Sequence, residues 1–185
     1  MLKYLIFIIL FPLSLTSQER NLVAVYGEFG FGLSNSNFPS SNSGINSNLS
    51  VSVETNKWLL RLTHKVNGVF SFSHQKDKLR STDLLVGRSL NLYTEHSSEK
   101  ATSSVWNIIF YLGFSALQNQ SYLTTNSNGS SFTRLKIESG YGIPIEVEIQ
   151  RLFPRYFGGA LTFFYNINKF RNFYGVSISG VLGSF

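Results

Sequence analysis

The chain has 185 residues, of which 43% are hydrophobic, 15% aromatic and 14% charged, with no cysteine and a formal net charge of +6. That length suits a single domain with a real core, and the lack of cysteine excludes a disulfide scaffold, thiolate metal sites and a cysteine-linked lipid anchor. The charged fraction lies well below the roughly 25% of an average soluble domain, so something other than water covers much of the surface.

The first residues predict a cleaved signal peptide over residues 1–17. Met1-Leu2-Lys3 forms a short positive segment, Tyr4 to Leu15 is an apolar run of h-region length, and Thr16-Ser17 offers small residues before Gln18. Pro12 and Ser14 break the run too early for a membrane-spanning helix, which needs about 20 apolar residues. Cleavage removes Lys3 and no acid, taking the net charge from +6 to +5. The remaining 18–185 form one domain.

From Asn21 the sequence alternates between apolar and polar positions, the mark of strands with two different faces. In strand one, Val23, Val25, Phe29, Phe31 and Leu33 oppose Ala24, Tyr26, Glu28, Gly30 and Gly32. A Ser/Asn-rich loop is expected over Ser34–Asn48, then a short second strand over Leu49–Glu54 and a tight turn at Thr55-Asn56-Lys57. Strand three is long, with Trp58, Leu60, Leu62, His64, Val66, Phe70 and Phe72 against Arg61, Thr63, Lys65, Asn67, Ser71 and Ser73.

After a charged loop at His74–Ser81, the pattern over Asp83–Tyr93 is mixed. Arg88 shares the parity of Leu84, Val86, Leu90 and Leu92, which calls for either a bulge or a mixed face. Strand five sets Trp106, Ile108, Phe110, Leu112, Phe114 and Ala116 against Asn107, Tyr111, Gly113 and Ser115. A loop is expected over Thr124–Thr133. Strand six then runs from about Leu135 to Gln150, with Ile143, Ile145, Val147 and Ile149 on one side and Pro144, Glu146, Glu148 and Gln150 on the other. Pro144 between Gly140 and Gly142 suggests a bulge or kink. A turn at Phe153–Gly158, a seventh strand over Ala160–Asn168, a turn at Phe170–Asn172 and an eighth strand from Tyr174 to the end complete the set.

Eight antiparallel strands can close on themselves and remove every edge. The expectation is therefore all-β: a closed eight-stranded antiparallel up-and-down transmembrane β-barrel. Alternation alone would also fit a soluble, secreted lipocalin-like barrel binding an apolar ligand, with the apolar side inward. The polar face, however, is mostly Ser, Gly, Thr and Asn, small enough for a crowded eight-strand interior. Its charges, Glu28, Glu54, Arg61, Lys65, Glu146 and Glu148, can pair across a narrow lumen, whereas basic side chains on the lipid face would each cost about 2–4 kcal/mol near the midplane. Trp58, Trp106, Phe153, Tyr156, Phe157 and Phe185 are expected at one membrane interface, and Phe31, Phe72, Tyr122 and Tyr174 at the other. The apolar face would then meet outer-membrane lipid.

Gly142-Ile143-Pro144-Ile145-Glu146, Tyr165-Asn166-Ile167-Asn168-Lys169 and Phe173-Tyr174-Gly175-Val176 are similar to the last three strands of an outer-membrane β-barrel family. With the signal peptide, the alternating runs and Phe185, the chain resembles the small outer-membrane barrels of Gram-negative bacteria, in the manner of the OmpA transmembrane domain. The resemblance implies an outer-membrane location and insertion by the barrel-insertion machinery, which reads a terminal aromatic with apolar residues two, four and six before it. Gly183 and Ser179 depart from that spacing.

Other chemistries are poorly supported. Glu146 and Glu148 could serve as an acid and base pair, but lumen struts explain them better. His64, His74 and His96 lack metal-ligand spacing; His64 could join a serine and a carboxylate in a lipid-modifying outer-membrane enzyme, the lesser alternative, but its parity puts it outward. The net positive charge is spread thinly, and Lys76, Lys78 and Arg80 read as a solvated loop rather than a nucleic-acid stripe. No enzyme activity and no cofactor are expected. The expected role is structural or surface-interacting, without an open pore, with the Ser/Asn-rich loops meeting any extracellular partner.

Overall fold

Alternation becomes eight antiparallel strands in a computed structural model of the chain, which describes residues 24–36, 44–69, 78–95, 104–127, 130–153, 157–170 and 172–184. They are β1 (Ala24–Ser36), β2 (Gly44–Thr55), β3 (Trp58–Val69), β4 (Lys78–Glu95), β5 (Ser104–Ser127), β6 (Ser130–Phe153), β7 (Phe157–Asn168) and β8 (Phe173–Ser184). Each pairs with its neighbour in sequence and β8 pairs with β1, so the sheet is a closed barrel.

The register sets the barrel's shape. Followed once round the wall, the partners of Val25 are Val53, Leu60, Val86, Leu112, Ile145, Tyr165, Tyr174 and finally Asn35. The path returns to β1 ten residues on, at 35 rather than 25. A stagger of that size tilts eight strands by roughly 40° to the axis and leaves an interior that side chains can fill.

That interior is polar and the exterior apolar. Among the described residues, 23 buried side chains are polar or charged against 12 hydrophobic, while 30 large hydrophobic residues are exposed. A soluble barrel would invert this. Leu112 at 59%, Ile143 at 50% and Ile178 at 71% exposure belong to a largely apolar outer face of a size that suits lipid rather than water.

Several boundaries differ from expectation. The segment Ser34–Asn48 is not one loop: β1 runs to Ser36, β2 starts at Gly44, and Ser34 pairs with Gly44. Asn46 and Asn48 are buried lumen residues, and a lumen-facing Ser/Asn row has the composition of a loop. The Thr124–Thr133 segment is likewise largely ladder, since β5 and β6 stay paired to Ser127 and Ser130. The third strand's expected continuation to Ser73 lies outside the described residues beyond Val69. The predicted turn at Asn56-Lys57 has positive φ at both residues (50° and 67°), the geometry that matches a two-residue hairpin to the strand twist.

Two irregularities were foreseen in part. In β4 the outward row of Leu84, Val86, Arg88 and Leu90 is unbroken, so Arg88 sits on a mixed face, while a separate register shift occurs between Asn91 and Tyr93. At Pro144 there is no shift: the β5 ladder skips Gly113 and Phe114 but keeps its register on both sides, and the β7 ladder continues through Pro144↔Asn166. The missing N–H removes ladder bonds without displacing the strand.

Candidate functional site: the charged lumen

Arg61 and Lys65 lie four residues apart on β3, on its inward face, and Glu146 and Glu148 lie two apart on the inward face of β6. The two strands stand three places apart round the barrel, so their side chains meet across the lumen. Two ionic layers result.

In the layer nearer the chain termini, the Arg61 guanidinium donates from Nη1 to Glu148 Oε2 (2.5 Å), from Nη2 to Glu148 Oε1 (3.0 Å), and from Nη2 to Glu28 Oε1. Arg61 Nε donates to Ser52 Oγ at 2.9 Å, and Thr162 Oγ1 donates to Glu148 Oε2 at 3.1 Å. In the other layer, Lys65 Nζ donates to Glu146 Oε1 and to Asp83 Oδ2 (3.2 Å). Ser115 Oγ donates to Asp83 Oδ1 at 2.5 Å and accepts from Asn166 Nδ2 at 2.7 Å. All six charged groups are almost fully buried. Buried ions persist only when paired and hydrogen-bonded, and each cation here holds two carboxylates.

Apolar clusters lie on both sides of the two layers. Tyr26, Leu59, Leu85, Ile109, Tyr111, Leu152, Ala160 and Val181 fill the lumen toward the termini, and Leu79, Leu117, Phe164 and Phe173 fill part of the opposite end. Each cation touches one cluster: the Arg61 guanidinium lies 4.2 Å from the Tyr111 ring centre and Lys65 Nζ lies 5.1 Å from that of Phe164. Gly87 makes room, because a Cβ there would run into the Tyr111 ring. Successive side chains thus fill the lumen.

Five of the six residues singled out from sequence, Glu28, Arg61, Lys65, Glu146 and Glu148, come together in these layers. Glu54 does not. It sits half-buried near the end of β2, and among the described residues no ion pair joins it to Arg61 or Lys65. Asp83 takes the expected place of a fourth acid. It was passed over because it opens the strand whose faces looked mixed, although its spacing to Leu85 and Gly87 already put it on the inward row. Glu146 and Glu148 bind different cations, which leaves neither as a free base. His64 is outward and exposed, with Nδ1 3.1 Å from Thr82 Oγ1. Among the described residues no group of three or more His, Asp or Glu side chains is arranged to hold a metal ion.

At the terminal end of the wall, Trp58 and Phe157 are exposed and Trp106 half-exposed, with Phe153 and Phe157 stacked at 5.9 Å. Tyr156 and Phe185 lie outside the described residues. Two outward arginines, not assigned there from sequence, accompany these rings: Arg88 lies 5.6 Å from the Trp58 ring centre, and Arg151 lies 5.1 Å from that of Trp106 and 4.9 Å from that of Phe153. Flat cations over aromatic faces suit an apolar–aqueous boundary. Toward the other end Phe31, Tyr122 and Tyr174 are exposed on the outer wall, and Phe72 is outside the described residues.

Among solved structures, the neisserial surface protein A superposes with a TM-score of 0.58 at 13% identity, covering 88% of this chain and 97% of that one. The chain has the fold of the small eight-stranded outer-membrane barrels. The attachment invasion locus protein Ail of Yersinia pestis (14% identity, 88% and 98% coverage) and the N-terminal barrel of Pseudomonas aeruginosa OprF (11%, 86% and 96%) give TM-scores of 0.49 and 0.48. No protein-family model and no curated protein sequence matches the chain.

Proposed function

We propose that this is an exported protein of the outer membrane with a structural or surface-interaction role and no open pore. The observation that carries the reading is the inversion of the barrel: a predominantly apolar outer face surrounds a lumen filled by two ionic layers and two apolar clusters. In this reading residues 1–17 direct export and are removed, Phe185 engages the insertion machinery, and outer-membrane lipid covers the strands. The end of the barrel opposite the termini faces outward, so contacts with a partner fall to β5 and β6 and to the Ser/Asn-rich connections.

Membrane fractionation followed by gel electrophoresis of unheated and boiled samples tests this. The account expects recovery in the outer-membrane fraction, release only by detergent, and a fast-migrating compact form before boiling. Recovery as a soluble protein without detergent would overturn it and favour a secreted lipocalin-like barrel. A lipid-modifying enzyme would instead show as a changed lipid A acyl pattern in a deletion strain; none is expected.

A further inference from the structure

Lys78 and Arg80, expected in a solvated loop, stand on the outer wall instead. Both belong to β4, both are exposed, and they alternate with the buried Leu79 and Ser81. Lys76 lies outside the described residues. Thr82 is the next outward residue of β4, and its Oγ1 lies 3.1 Å from Nδ1 of His64 on β3. On the other side, Arg80 pairs with Gln118 and Lys78 with Gln120 of β5, both half-buried. Six neighbouring side chains on three strands thus carry groups able to donate hydrogen bonds.

Nothing negative offsets them. Among the described residues no ion pair holds Lys78 or Arg80. The outward row of β4 from Lys78 to Leu92 contains no acid, and neither do the outward rows of β3 and β5 paired to it. The strand also sets the height of the patch. Lys78 and Arg88 bracket about 25 Å along the barrel axis, at about 3.3 Å per residue and a tilt of roughly 40°, which matches the apolar band of an outer-membrane barrel. Lys78 therefore marks the rim opposite the termini, and Arg80 lies one outward step inside it. Toward the middle of the wall comes an apolar rung, Leu62–Leu84–Phe114, with exposures of 38%, 51% and 54%.

We propose that this patch binds the phosphate of an anionic lipid in the outward-facing leaflet. Lys78 supplies a point charge, and the forked guanidinium of Arg80 matches two phosphate oxygens. Thr82, His64 and the two glutamines flank them, and the acyl chains lie along the rung below. A soluble anion would engage the cations and leave the rung unused, so the occupant is a lipid. The proposal rests on the outer-membrane reading, because it needs lipid against this wall.

Trace phosphatidic acid or phosphatidylcholine carrying a photoreactive acyl chain, in phosphatidylcholine vesicles holding the barrel, locates the contact by cross-linking and peptide mapping. Phosphatidic acid should label the peptide containing Leu84 about fivefold more than phosphatidylcholine does, the order expected for a basic side chain at an anionic lipid. Lys78→Gln/Arg80→Gln should bring the two lipids level there. Arg134→Gln/Lys136→Gln removes equal charge from exposed positions on the other face of β6 from Leu135 and Ile137, and should leave the preference intact. Inorganic phosphate at constant ionic strength should not erase it. Equal labelling by the two lipids in the natural chain, the same loss in both double variants, or erasure by inorganic phosphate would overturn the proposal. Phosphatidylcholine labelling of the outer rows reports lipid contact independently: its absence would sink the outer-membrane reading itself, whereas its presence without the phosphatidic acid preference would sink this site alone.

Discussion

Arg61 and Glu148, 87 positions apart in sequence, meet across the lumen through two nitrogens and two oxygens at 2.5 and 3.0 Å. This forked contact is directional as well as charged, which a lysine could not reproduce. It joins β3 to the opposite wall and holds the barrel closed from within.

Arg61→Leu removes the cation from two buried carboxylates. Leaving buried charge uncompensated costs about 3–5 kcal/mol, so the heat-induced shift from compact to unfolded band should move to clearly lower temperature. Arg61→Lys should recover only part of the loss. A melting profile equal to that of the natural chain would remove Arg61 from the account.

Glu146→Leu leaves Lys65 with Asp83 as its single acid and should lower the melting temperature without altering membrane insertion. Glu54→Leu breaks no ion pair with Arg61 or Lys65 and should change stability by less than about 1 kcal/mol. Parallel thermal melts of the two variants in detergent decide the point; equal losses would mean that Glu54 shares the network.

The outer wall should discriminate by depth. Leu112→Arg places a charge in the middle of the apolar band and should cost about 2–4 kcal/mol, whereas Arg88→Ala, beside Trp58 at the end of the barrel, should cost under about 1 kcal/mol. Equilibrium unfolding from lipid bilayers measures both. A neutral Leu112→Arg would mean that water, not lipid, faces that row.

Planar-bilayer recordings of the natural chain and of the Arg61→Ala/Lys65→Ala double variant should both lack steady open channels, because the apolar clusters lie on either side of the ionic layers. Steady conductance from the double variant alone would make the ion pairs the plug.

Much of this was legible from alternation. A period of two assigns each residue a face, and the small size of Ser, Gly, Thr and Asn on the polar face identified it as the interior before any pairing was known. Composition misled at Ser34–Asn48 and Thr124–Thr133, where lumen or hairpin strands are as rich in Ser and Asn as a loop. Parity could place Glu54 inward but could not give its height, which depends on the ten-residue stagger. For the same reason it could not separate the Arg61 layer from the Lys65 layer.

The central claim is that lipid lies against Ile143, Ile145, Val147 and Ile149 while Pro144, Glu146, Glu148 and Gln150 face a packed interior. Nitroxide labels on single cysteines introduced in turn at 141–150, in barrels reconstituted in bilayers, measure this directly through relaxation by oxygen and by a water-soluble nickel complex. The account predicts high oxygen access at 143, 145, 147 and 149, with low access to both relaxants at 144, 146, 148 and 150. Strong nickel access at 143, 145, 147 and 149 would contradict it.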